Sequence, residues 1–222
     1  MGIITLEHAD RLFWLGRYTE RVYTTLRLYE KSFDKIIDKD KYDYREFCKD
    51  IDIPDIYGSK EEFAKKYLFC AEDPNSVLSN LKRAYDNAIE LREEIGSEAL
   101  SYIQLSIYDM RKAAISNAPL IQLQDVIDHI LAFFGIADDM IESENIRAII
   151  KTGKRIERID LYARLELDRE DLRREIDRMR FRIKKTGMKY KESVIEDLQN
   201  LINEEKINYY KIVQEVENIF EI

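Results

Sequence analysis

The sequence predicts an all-α fold, a helical bundle of about six or seven helices. Three observations lead there. Of 222 residues 36% are charged, yet only 7 are glycine and 3 are proline, a mixture that suits long helices and starves turn-rich sheets. Apolar residues recur at spacings of three and four, from Leu12 to Leu26 early in the chain and from Val194 to Phe220 at its end, as a buried helix face requires. No stretch alternates apolar and polar residues as a half-buried strand does. A chain of this length can enclose one core, so residues 1–222 read as a single domain.

The first helix is expected over residues 7–38, with Leu12, Leu15, Thr19, Val22, Leu26, Tyr29, Phe33 and Ile36 along its seam. Between 38 and 70 the period fails. "DKDKYDYREFCKDIDIPDIYGSKEEF" is acidic, aromatic and broken by Pro54 and Gly58, and reads as an irregular surface excursion. Ser59 and Glu62 form a capping box that starts a short helix there. Asp73 and Pro74 supply the cap and first position of the next helix, whose stripe is Leu78, Leu81, Tyr85, Ala88 and Ile95. Gly96 stops it, and Ser97 caps a helix over about 98–116. After the turn Asn117-Ala118-Pro119, a helix over about 120–134 ends at Gly135. Asp138-Asp139 opens a second long helix that reaches about 166. Asp168 caps a charged helix over 169–185, Gly187 breaks it, and a last helix spans about 190–220, so that 168–222 forms a C-terminal helical hairpin.

Composition narrows function. A net charge of -8 opposes attraction to nucleic acid or to an anionic membrane. "MGIITLEHADRL" lacks a basic leader and is interrupted by Glu7, Asp10 and Arg11, unlike a secretory signal. The longest apolar run, Ile130 to Ala137, is too short to span a bilayer. A cytoplasmic protein with reduced thiols at Cys48 and Cys70 is the expectation. No metal is expected: neither His8 nor His129 has a glutamate three residues before it, and Asp125, four before His129, reads as its surface pair. No phosphate loop or Gly-x-Ser-x-Gly is present, and no cofactor is expected. In "DREDLRREIDRMRFRIKKTGMKYK" acids alternate with bases, as on an exposed, ion-paired helix rather than a nucleic-acid surface.

One signature is written twice. "GRYTER" begins at Gly16 and "GKRIER" at Gly153, and the shift that superposes them brings Glu20 onto Glu157, Arg21 onto Arg158 and Arg27 onto Arg164. The apolar register follows, with Leu12 on Ile149, Val22 on Ile159 and Leu26 on Ala163. In a helix, positions 0, 4 and 11 fall within about 40° of one another. Glycine, glutamate and the second arginine therefore share a stripe beside the apolar seam. Mid-helix glycine costs about 1 kcal/mol against alanine, which the close approach of another backbone or of a ligand can offset. A glutamate beside the seam needs a partner, and an arginine offers a planar fork to it or to a ligand carboxylate. Two arrangements satisfy these residues: helices packed at their glycines with glutamates paired to arginines, or a polar cavity that binds an anionic or amide-bearing substrate. Nearby arginines keep carboxylates ionised, favouring binding over proton transfer.

These residues also carry a resemblance. "ADRLFWLGRYTERVYTTLRL", "EDPNSVLSNLKRAYDNAIELREEIGSEAL" and "IIKTGKRIERIDLYARL" resemble the opening, middle and late motifs of the alpha-E domain family of bacterial proteins, across most of residues 7–167. Asp86 stands where the family usually has glutamate, and Ile89 and Lys154 where it has arginine. The resemblance implies an all-helical fold and a setting in peptide synthesis or modification, beside ATP-grasp-type amidoligases and transglutaminase-like proteins as partners. It implies no activity for the helical domain itself. Carried over by position, its candidate substrate- or partner-binding residues are Arg17, Glu20, Arg21, Arg27, Arg83, Asp86, Asn87, Arg92, Glu98, Glu157, Arg158 and Arg164. The expected function is a helical binding or accessory protein with a Glu/Arg-lined site. The alternatives are an enzyme acting on a peptide or amide held between Glu20 and Glu157, and a purely structural bundle. An open cleft reaching those glutamates favours binding or catalysis, and a closed, paired core favours structure.

Overall fold

Ten helices and no named strand occupy the described residues, 4–38 and 43–220 of the computed structural model, with the side chains of 29–38 outside the described set. They are α1 (Leu6–Asp38), α2 (Tyr44–Asp50), α3 (Lys60–Phe69), α4 (Val77–Glu90), α5 (Arg92–Ile115), α6 (Pro119–Met140), α7 (Glu144–Arg164), α8 (Arg169–Ile183), α9 (Glu192–Asn203) and α10 (Tyr209–Glu217). The all-α class stands, while the count exceeds six or seven. The expected seam positions Tyr29, Phe33 and Ile36 lie outside the described side chains. Two compact units emerge, one formed by residues 1–17 with 143–222 and the other by 18–142.

In the 18–142 unit, the stretch expected to be irregular holds two helices around an aromatic cluster. Phe63 stacks on Tyr67 at 5.2 Å and on Tyr44 at 5.1 Å, and meets Tyr57 edge-on at 5.0 Å. Such contacts add to the area each ring buries. Tyr57 donates to Asp73 Oδ2 at 2.6 Å, and Tyr44 donates to the Tyr57 carbonyl at 2.8 Å. The acids and the proline that suggested a loop are interspersed in sequence with Tyr44, Phe47, Tyr57, Phe63 and Tyr67, which are all buried. Ser59 does cap α3, accepting from Glu62 N at 3.1 Å.

Cys48 lies inside this cluster. Burial, with the carboxylates of Asp55, Asp43 and Asp73, pushes its thiol up to about 11. The thiolate is the nucleophile, so Cys48 should resist iodoacetamide at pH 8 in the folded protein while half-buried Cys70 is alkylated. Mass spectrometry of the labelled peptides checks this; equal labelling of both contradicts the packing described.

Several boundaries move. Ser76, not Asp73, caps α4, accepting from Ser79 N at 3.0 Å; Asp73 is engaged by Tyr57 and by Asn75 N instead. α4 ends at Glu90, short of the stop expected at Gly96, which instead breaks the helical path within α5 at φ 83°. α6 runs through Gly135, which stays helical, and ends at Met140. The next helix therefore begins at Glu144, capped by Ser143, rather than at Asp138-Asp139. His129 lies against the neighbouring helix rather than Asp125: its Nδ1 is 2.8 Å from Asp109 Oδ2, and Lys112 Nζ donates to the other oxygen at 3.1 Å.

In the other unit, α7 buries twelve residues, among them Ile149, Ile156 and Ile159. α8, capped by Asp168, turns Leu172, Ile176, Met179 and Ile183 inward. Its outer arginines pair along the helix with Glu170 and Asp171, as the alternating charge suggested. The expected last helix is split into α9 and α10 by residues 204–208, so three helices replace the hairpin. Lys191 N bonds the Ile219 carbonyl at 2.9 Å, and the Phe13 and Phe220 rings meet at 5.1 Å.

Candidate functional site

The site is built on a crossing of α1 and α7 at the two signature glycines. A Cβ on Gly16 would lie 2.1 Å from the Ile150 carbonyl oxygen, and one on Gly153 would lie 2.1 Å from that of Phe13. The contacts are reciprocal. The shift that carries Gly16 to Gly153 also carries Phe13 to Ile150 and Arg17 to Lys154, the very backbones that each glycine meets. Only hydrogen fits between such backbones. The repeated glycine is thus explained by helix packing and needs no ligand.

One turn on, Arg17 Nε donates to Glu157 Oε2 at 2.6 Å. The Arg17 guanidinium also lies 4.9 Å from the Trp14 ring centre, a cation–π contact that fixes its orientation. Glu157 is 1% exposed, and an unpaired carboxylate there would be costly. The next turns of α7 carry a larger cluster. Glu175 of α8, also 1% exposed, faces three guanidiniums. Arg155 donates to its Oε2 at 2.5 Å and Arg178 to its Oε1 at 2.9 Å, while Arg158 stands 3.6 Å from Oε1. Arg164 bridges buried Asp160 and exposed Glu217 of α10, each at 2.9 Å. Five arginines thus gather around three sealed carboxylates and one exposed one. Among the described residues no group of three His, Cys, Asp or Glu could hold a metal.

The remaining expected residues behave differently. Glu20, fully buried in the 18–142 unit, accepts from Thr24 Oγ1 at 2.7 Å. Arg21 faces Tyr67, whose phenol is driven above its usual range by burial, against the guanidinium and a Thr25 hydrogen bond. Arg27 is exposed, unlike its counterpart Arg164. The middle motif lies mainly on the surface. Arg83, Asp86, Arg92 and Glu98 are exposed and Asn87 is half-buried. Arg83 bonds the Pro74 carbonyl at 2.9 Å, and Arg92 bonds Ser97 at 3.1 Å. These side chains lie along a solvated helix face rather than around a shared site.

A family model described as a predicted alpha-helical domain with a conserved ER motif matches residues 7–203. The chain belongs to the Alpha-E family. No curated protein and no solved structure matches it. Two Glu-Arg pairs stand in this Alpha-E chain, Glu20-Arg21 and Glu157-Arg158, and both glutamates are sealed. Arg155, Glu175, Arg178 and Glu217 complete the cluster from outside the motif positions. Glu175 had a signal: it falls on the apolar stripe Leu172, Ile176, Met179, where a solvated acid does not belong. Among the described residues one helix, α6, is long and apolar enough to cross a membrane by length and composition, longer than the Ile130–Ala137 run implied. Leu123, Val126, Ile127, Ile130 and Phe133 of that helix are buried.

Proposed function

We propose that this Alpha-E protein is a helical binding or accessory subunit working with an ATP-grasp-type amidoligase in peptide synthesis or modification. Its arginine cluster holds a carboxylate of the peptide. One observation carries the reading: three guanidiniums share the two oxygens of Glu175. A guanidinium carries five N–H donors in a planar fork. The side chain of Arg178 is 50% exposed and that of Arg155 19%, which leaves the cationic side of the cluster in reach of solvent. A peptide carboxylate is the planar, two-oxygen anion that such forks match. The sealed glutamates oppose catalysis, since a substrate has no route to a carboxylate 0% or 1% exposed, and their closed setting gives them a structural role; the binding reading rests on the solvent-facing arginines instead. Family membership supports the amidoligase and transglutaminase-like setting.

Affinity purification of the full chain from lysate of its native host, read by mass spectrometry, tests the partnership. An ATP-grasp amidoligase should co-purify. Recovery of the chain alone, under conditions in which it stays folded, contradicts it.

A further inference from the structure

The 18–142 unit carries a second feature, independent of the arginine cluster. Between α3 and the α5–α6 turn lies a groove of about 490 Å³. It is lined by Leu68, Phe69, Ala113 and Leu120 together with Ala64, and by the exposed Lys60 and Lys65. Two exposed isoleucines adjoin the groove-lining residues in sequence, Ile115 between Ala114 and Ser116 and Ile121 next to Leu120. Ile115 is 88% exposed and Ile121 71% exposed, at the two ends of the turn between α5 and α6. Scattered apolar residues need no explanation, but bulky ones beside an apolar groove mark an interaction surface.

The geometry points to docking of an amphipathic helix from a partner protein, its apolar stripe flanked by acidic residues. A small molecule could fill the groove, yet it would leave Ile115 and Ile121 in water. A helix presenting apolar residues at i, i+3, i+4 and i+7 covers both the groove and its apolar margins. Charge selects the helix. The groove residues include two lysines and one acid, Glu61, on a chain of net charge -8. A locally cationic rim on an acidic molecule steers an acidic partner segment and rejects a basic one.

Two labelled synthetic helices with the same leucine stripe, one flanked by glutamate and one by lysine, test this against the full chain by fluorescence anisotropy. The glutamate helix should bind at least about tenfold more tightly, and Lys65→Glu or Ile121→Glu, both at exposed positions, should each weaken it about tenfold. Ala114→Trp, also at an exposed position in the groove wall, should block it. Urea melts matching the parent chain establish that the variants are folded. No binding, or equal binding of the two helices, overturns the proposal. So does sedimentation with phosphatidylcholine–phosphatidylserine vesicles that Ile121→Glu abolishes, which assigns the strip to a membrane surface. Concentration-dependent dimerisation lost in the same variant assigns it to a second copy and overturns the proposal equally. Since Arg178→Met leaves this surface intact, failure here and failure of the carboxylate site are separable.

Discussion

Gly153→Ala should lower the folding stability by about 3 kcal/mol, although alanine is the better helix former by about 1 kcal/mol. The new methyl would sit 2.1 Å from the Phe13 carbonyl oxygen, with the Arg17 nitrogen at 3.3 Å. Both neighbours are backbone, which cannot swing aside as a side chain can, so α1 and α7 must separate along the crossing. That separation also stretches the Arg17–Glu157 bond one turn away. Gly16→Ala should cost a similar amount, because the Ile150 oxygen stands at the same distance. Gly135→Ala is the control. It lies within α6 with nothing inside 4 Å of an added Cβ, so that variant should gain up to about 1 kcal/mol. Urea unfolding followed by circular dichroism reads all three. If Gly153→Ala and Gly135→Ala shift the midpoint in the same direction, the crossing is not as described.

Glu175→Leu carries the second large effect. It keeps much of the side-chain volume on the buried stripe of α8 but leaves Arg155, Arg158 and Arg178 facing one another without their shared anion. Removing one partner from a buried ionic cluster costs about 3–5 kcal/mol. The low end applies here, since the half-exposed Arg178 is screened by solvent. The repulsion makes a specific claim about rescue. Adding Arg155→Met and Arg158→Met to Glu175→Leu should restore most of the loss, because an apolar replacement of a whole buried cluster is often neutral. Arg178→Met alone should cost less than about 1 kcal/mol. If Glu175→Leu melts with the parent chain, Glu175 is not the hub of the cluster.

Much of this was legible in the sequence, and the limits have physical causes. The all-α class follows from periodicity and few breakers, which report directly on a buried face. The twin glycines could be placed on helices because the polar and apolar registers moved together. What they touch depends on crossing geometry, which one strand of sequence does not contain. Ser76 took the cap from Asp73 because Tyr57, far off in sequence, claimed the carboxylate. Gly135 was read as a stop, yet an exposed glycine in a long apolar helix is tolerated when tertiary packing holds the helix on both sides. The 43–70 stretch failed most clearly: its acids and proline argued for solvent, while five of its six rings found one another across α2, α3 and the loop between them. At the site, Arg17, Glu157, Arg158 and Arg164 were visible as motif residues. Their partners Glu175 and Glu217 came from helices that no repeat tied to them.

The proposed division of labour in the ER signature is that glycines and glutamates hold the helices while the guanidiniums around Glu175 meet a ligand. Calorimetric titration of the full chain with a short oligoglutamate peptide tests that division most directly. The expected result is binding that weakens with added salt and falls about tenfold in Arg178→Met, with the urea midpoint of that variant close to the parent's. Absence of binding, or equal affinity in parent and variant, would contradict it and leave the arginines as structural partners of Glu175 alone.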